Sequence, residues 1–307
     1  MPDGNTSADR KKFTAAMSSL IAAVALTAFK IVVGVLTGSL GILAEAAHSG
    51  LDLVAALVTV FAVRMSSKPA DEDHNYGHGK VENLSALFET GLLLATCFWI
   101  VREALKRLAA GSTEVEVNVW SFLVMGTSIV IDVSRSRVLY RVAKQFNSQA
   151  LLADALHFET DIWSSAVVIL GLISVKVAGW IPGYGWLRQA DAVAALAVAG
   201  IVVVVSVKLG LQTVQALLDA APAGYVMRII ATAQAVPGVV DCHDVRVRRS
   251  GPLLFADVHI TVDGNQPLRE AHALTEQVEA AVREAIPGLD LVVHPEPNEP
   301  NRAAAGA

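Results

Sequence analysis

Charge is scarce in this chain. Of its 307 residues only 17% are Asp, Glu, Lys or Arg, against roughly 25% in ordinary soluble domains. Hydrophobic residues make up 53% and the mean hydropathy is +0.50, which excludes a soluble protein of this size and makes membrane lipid its principal surroundings. Cysteine is nearly absent. Cys97 falls in an apolar segment and Cys242 in a polar region near the C-terminus, so no structural disulfide joins them and reduced thiols are expected. Aromatics are few, at 6%, and no basic run interleaved with them occurs, which excludes nucleic acid as a partner. The His-Glu-x-x-His signature of a zinc protease is missing too, and no other motif marks an enzyme.

What is present is a series of long apolar segments. Six can be drawn, at 13–36, 40–64, 84–105, 117–140, 149–175 and 189–209, each near the roughly 20 residues that cross a hydrocarbon core. The stretch MPDGNTSADRKK, residues 1–12, has no apolar centre and no small-residue cleavage site, so the first segment is expected to be a retained span behind a short cytoplasmic tail. An even number of spans returns the chain to the same side. Arg10, Lys11 and Lys12, then Arg64, Lys68 and Lys80, then Arg135, Arg137, Arg141 and Lys144 fall on that side, as the positive-inside rule requires. Arg102, Lys106 and Arg107 dissent.

From about residue 211 the pattern becomes that of a water-exposed unit. AGYVMRIIATAQAV reads as a helix, VVDCHDVRVRR and LLFADVHITVD as strands about the turn SGP, PLREAHALTEQVEAAVREAI as an amphipathic helix, and LDLVVH as a last strand. The predicted fold is an all-α six-helix membrane bundle over 13–210, followed by a cytoplasmic α+β unit of αββαβ, ferredoxin-like order over 211–297. Residues 298–307 lack apolar periodicity and are expected to be disordered.

Two short stretches break the apolar runs. AEAAHSGLD at 44–52 and ADALHFETD at 153–161 share one pattern, an acid three residues before a histidine and an aspartate four after it. On helices, His48 with Asp52, and His157 with Asp161, each share a face one turn apart. An ionisable group within a span costs at least about 2.5 kcal/mol. Two imidazoles and two carboxylates brought to one point form a tetrahedral nitrogen and oxygen set suited to Zn²⁺, and a bound cation accounts for all four at once. Helix-to-helix hydrogen bonding is the plainer alternative for a lone histidine, but it does not explain a duplicated motif. A di-iron carboxylate site also fails, because the second copy has Asp154 where Glu45 stands in the first and no other span supplies two buried glutamates. Glu45 and Asp154 are read as structural or entrance residues.

Further histidines lie outside the spans. Asp71, His74 and His78 are spaced three and four apart in KPADEDHNYGHGKVEN; they can hold a metal or simply be solvated. A hairpin about the SGP turn puts His243 beside His259 to within one residue of register. His294 and Glu296 leave the last strand on one face. These are ligands or ordinary surface residues, and spacing leaves both readings open.

The stretches GSLGILAEAAHSGLDL, PADEDHNYGHGKVENLSAL, ADALHFETD, LLDAAP, CHDVRVR, VHITV, EAHAL and VVHPEP, in that order between about residues 13 and 297, make the chain resemble the cation diffusion facilitators, close to the bacterial zinc/proton antiporters. The resemblance implies a homodimer in the bacterial inner membrane, both termini cytoplasmic, that exports Zn²⁺ in exchange for protons. It implies that His48, Asp52, His157 and Asp161 are the transport site and that Asp71, His74 and His78 form a loop site. It aligns His243, His259, His272, His294 and Glu296 with a two-metal site at a dimer interface, with Zn²⁺ both cargo and structural ion. His48 matches the zinc-selective members, whereas Glu296 stands where an aspartate is usual. A membrane-anchored zinc sensor, in which the spans only tether a metal-binding tail, is the alternative function.

Overall fold

The computed structural model describes residues 3–110, 119–180 and 187–298. All but Asn298 of the tail expected to be disordered lies outside them. The chain divides into two compact units, Met1–Val214 and Gln215–Ala307.

Among the described residues the first unit is built from six long helices, the last running a few residues past its end: α1 (Asp3–Thr37), α2 (Leu40–Ser66), α3 (Lys80–Ala110), α4 (Val119–Phe146), α5 (Gln149–Trp180) and α6 (Leu187–Leu217). The stretch expected as an N-terminal tail is helical from Asp3 onward. Among the described residues, α1, α2, α3 and α6 are long and apolar enough by composition alone to cross a membrane. The second half of α4 carries Asp132, Arg135, Arg137, Arg141 and Lys144, which dilutes its hydropathy.

Small residues let these helices approach. α1 packs mainly on α2 and α4 mainly on α5, while α3 lies against α2 and α5. Ala15, Ala16, Ala62, Ala143, Ala150 and Ala155 are buried around Leu139, Leu151 and Phe158, as expected where dispersion between close backbones drives association. Gly34 shows the limit, since a Cβ there would stand 2.8 Å from Leu43 Cδ2 and 3.3 Å from the Leu43 backbone nitrogen. At the break between α1 and α2, Gly38 takes φ 64°, and Ser39 caps α2 by accepting a hydrogen bond from the Ile42 N–H.

One end of the bundle is tied by charge. Lys12, only 2% exposed, puts its Nζ 3.1 Å from Glu82 Oε1 and 3.2 Å from Asp9. Glu82 also accepts hydrogen bonds from Ser66 and Ser148. The knot joins the ends of α1, α2 and α3 to the residue before α5. Lys12 and Arg135, counted above for orientation, are therefore both buried in ion pairs.

The second unit runs α7 (Tyr225–Gln234), β1 (Asp241–Ser250), β2 (Leu253–Val262), α8 (Leu268–Ala285) and β3 (Leu289–Pro297). This is the ferredoxin-like αββαβ order. The sheet order is β1-β2-β3, with β2 antiparallel to β1 and parallel to β3. Leu254, Ala256, Val258, Ile260 and Val262 of β2 meet Leu289, Leu291 and Val293 of β3 and the apolar stripes of α7 and α8 in one core, which is the period-two burial that a half-covered sheet demands. In β1 the buried positions change from Cys242 to Val247 across a bulge between His243 and Arg246. Asp244, at φ 47°, supplies the extra residue.

Candidate functional site

α2 and α5 bring the duplicated motif together. His157 Nε2 lies 3.1 Å from Asp52 Oδ1 and 3.7 Å from Asp161 Oδ2, and His48 Nε2 lies 3.8 Å from Asp161 Oδ1. Donor atoms of His48, Asp52 and Asp161 all fall within 4.8 Å of one another. Ligands at about 2.0–2.1 Å around a tetrahedral ion stand roughly 3.3 Å apart, so these separations need only small side-chain adjustment to receive a cation. Asp161 Oδ2 is buried without a hydrogen-bond partner, an oxygen that an ion would satisfy. The site is asymmetric: the His48 side chain is 36% exposed, that of His157 4%.

Between α2 and α3, Asp71 Oδ1 stands 3.2 Å from His74 Nδ1, and Asp71 Oδ2 stands 3.4 Å from His78 Nε2. The two imidazoles are 4.4 Å apart at their centroids. The His74 backbone N–H, donating at 2.7 Å, is the first cause that holds the Asp71 carboxyl below its ordinary range; the His74 ring adds to it. This keeps an ionised carboxylate oxygen beside two imidazoles, a set that can hold an ion.

In the second unit, β1 and β2 pair His243 opposite His259, and β2 and β3 pair His259 opposite His294. All three lie on the sheet face opposite the helices. Glu296, two residues beyond His294, reaches His259 Nδ1 at 3.0 Å and His243 Nε2 at 3.3 Å. The bond from His259, then that from His243, holds its carboxyl below the ordinary glutamate value. His243, His259 and Glu296 form a set that can hold an ion. His294 is exposed, its ring 4.9 Å from that of His259. His272 does not join them: it stands exposed on α8, 3.8 Å from Glu276. Beside His243, Cys242 points into the core, where burial and the charge of Asp241 push its thiol up to about 11; both cysteines are free.

The bundle also holds buried polar groups that motif reading missed. Lys30 of α1 bonds to Ser49 at 2.7 Å and to Glu45 at 3.2 Å. On α4, Arg135 pairs with Asp132 at 3.4 Å, donates to Ser19, and lies 3.5 Å over the Phe158 ring. Ser19 in turn donates to Asp154 Oδ2. Glu89 of α3 is fully buried against Thr59 and Ser85. Each of these ionisable residues interrupts an apolar segment, and that interruption is the signal that could have found them.

Residues 16–218 match the family profile described as cation efflux transmembrane domain, and residues 222–298 match that of the cation efflux protein, cytoplasmic domain. The cation-efflux pump FieF of Yersinia enterocolitica is 35% identical over 286 residues, 92% of each chain. FieF of Yersinia pestis is 34% identical over 288 residues, again 92% of each. Among solved structures, the nickel form of a MamM C-terminal domain variant is 33% identical and covers 25% of this chain and 100% of its own, with a TM-score of 0.25.

Proposed function

Because the chain belongs to the cation diffusion facilitators, a family of divalent metal cation efflux proteins, we propose that it exports Zn²⁺ from the cytoplasm in exchange for protons. The observation that carries the reading is the convergence of His48, Asp52, His157 and Asp161 from two packed helices. Two imidazoles with two carboxylates fit Zn²⁺ in ligand type and number. Zn²⁺ is the cargo there. Bound at His243, His259 and Glu296, and at Asp71, His74 and His78, it is a resident ion that orders each segment. In this reading the protein works as a homodimer in the bacterial inner membrane, both termini cytoplasmic.

The four ligands take Zn²⁺ from cytoplasmic water, the bundle rocks to open the same site outward, and protons there compete for the groups that hold the ion, because a ligand must be deprotonated to bind metal. The same side chains serve both substrates in turn. Proteoliposomes with a zinc reporter and a pH reporter, challenged with Zn²⁺, Cd²⁺, Mn²⁺, Fe²⁺ and Co²⁺, test this. Zinc uptake with opposite proton movement is expected. Uptake without proton movement would reduce the reading to a zinc uniporter, and no uptake at any pH gradient would leave a membrane-anchored sensor.

A further inference from the structure

Glu89 sits on α3 with none of its surface exposed. Its Oε1 accepts hydrogen bonds from Thr59 Oγ1 on α2 and from Ser85 Oγ, one turn earlier on α3, at 3.2 Å. Its Oε2 is buried with no hydrogen-bond partner. Among the described residues, both groups that hydrogen-bond to the carboxyl are thus neutral hydroxyls. Outside the His48–Asp161 cluster, Glu82 holds Lys12 and Asp132 holds Arg135, while Asp154 is bonded by Ser19, to which Arg135 also donates, and leaves its Oδ1 without a partner. The charged groups whose fields reach Glu89 are Asp154 and His157, both on α5. A carboxylate so placed is costly to ionise unless positive charge arrives beside it.

We propose that Glu89 is a proton-carrying site of the transport cycle, separate from the four metal ligands. It holds a proton while the metal centre is empty and gives it up when a dication is bound at His157. In the acid form the proton is on Oε2, the oxygen that lacks a partner. On zinc loading the O–H bond breaks, its electron pair stays on the oxygen, and water on the loading side takes the proton. The charge of the dication at His157 favours the carboxylate across the α3–α5 contact. By reciprocity, a proton returning to Glu89 weakens zinc binding by the same factor, so protonation from the release side helps to expel the ion. The site adds a counted proton that no ligand has to carry. This rests on the antiport reading above.

The test measures zinc flux and proton countermovement in the same proteoliposomes for the parent and for Glu89→Gln. Gln keeps an acceptor for Thr59 and Ser85 while fixing the side chain neutral. The ratio of protons to zinc should fall by about one in E89Q. An unchanged ratio overturns the role of Glu89 and leaves antiport standing, whereas a parent that moves no protons overturns both. A second measurement does not depend on how E89Q folds. Infrared difference spectra of zinc-loaded minus zinc-free parent, grown with carbon-13 glutamate, should show loss of a label-sensitive protonated carboxyl band. Glu89→Asp should move that band to a label-insensitive position. If zinc loading removes no labelled band from the parent, the proposal fails.

Discussion

His157 Nε2 stands 3.1 Å from Asp52 Oδ1 across the interface of α2 and α5, so each copy of the motif is completed by the other. Asp52→Ala should therefore disable both halves, leaving His157 buried without its carboxylate acceptor and the site one ligand short. Losing even a residue behind a metal ligand costs roughly 10- to 100-fold; losing the ligand itself should exceed that. Zinc flux at subsaturating metal in proteoliposomes is the check, with retention of the parent elution volume showing that the fold survives. A D52A protein transporting at the parent rate would displace the metal centre from this helix pair.

Arg135 is the hub of a buried set: Asp132, Ser19 and, through Ser19, Asp154 depend on it, and its guanidinium covers Phe158. Arg135→Ala removes the cation that Asp132 contacts and the donor that holds Ser19 against Asp154. The loss should be about 3–5 kcal/mol, as for other buried pairs deprived of one partner, read as unfolding in mixed micelles. The double variant with Asp132→Asn should lose less than the sum of the two single changes. Additive losses would mean that the pair does not interact.

In the C-terminal unit, replacing His243 and His259 by Ala should abolish stabilisation by zinc. At free zinc of 100 times the dissociation constant, the parent unit should gain about 2.7 kcal/mol, and the variant essentially none. The metal-free unit carries a separate pH signature. The Glu296 carboxyl is held below its ordinary 4.5, first by His259 and then by His243. A depressed folded value stabilises the fold above the unfolded value, and that contribution is lost as pH falls from about 4.5 through the folded value. Glu296→Gln should flatten the acid limb of the melting curve; a limb identical to the parent would show that these contacts do not form in solution.

How far the sequence could be read depended on whether a residue's partner lay close in sequence. His48 with Asp52 and His157 with Asp161 are one turn apart, so helical periodicity alone put each pair on a face. His243 with His259 followed to within one residue from a turn of two residues, and the bulge at Asp244, which lies between that turn and His243, shifts the register by one and sets the two histidines opposite each other. Lys12 with Glu82 is 70 residues apart and Ser19 with Asp154 is 135, and no local period connects such positions. Arg135 shows the cost, since in sequence it joins a basic cluster that marks the cytoplasmic side, whereas in space it is buried against Asp132. His272, which the resemblance aligned with a site at a dimer interface, stands exposed on α8 beside Glu276 within the single chain.

Loop binding can be tested without measuring transport. His78 Nδ1 is buried without a hydrogen-bond partner while Nε2 faces Asp71, so the ring is presented by one nitrogen. His78→Ala should lower the tightly bound zinc by about one ion per chain, since a site reduced from three ligands to two no longer meets the ligand count that zinc sites require. Metal content after gel filtration is the measurement. An unchanged content would assign the loop cluster to hydrogen bonding alone.

Acidifying the loading side should weaken zinc uptake, and the slope of that loss should count imidazoles. A histidine must be neutral to coordinate and titrates near pH 6.5 when unperturbed. Below that value a single obligatory deprotonation raises the apparent zinc constant about 10-fold per pH unit, and two deprotonations about 100-fold. The two histidines are not equivalent, because the His48 side chain is 36% exposed while that of His157 is enclosed and bonded to Asp52. His48→Asp keeps an anionic oxygen ligand but removes one imidazole, and a carboxylate titrates well below this range. The variant should still load zinc near neutral pH, with its dependence on loading-side pH shallower by about one unit of slope. The measurement is the zinc half-saturation constant at a series of loading-side pH values with the opposite side held fixed. An unaltered slope in H48D would mean that the proton competing with zinc sits elsewhere, on His157 or on Glu89, and the ratio of protons to zinc in Glu89→Gln separates those two.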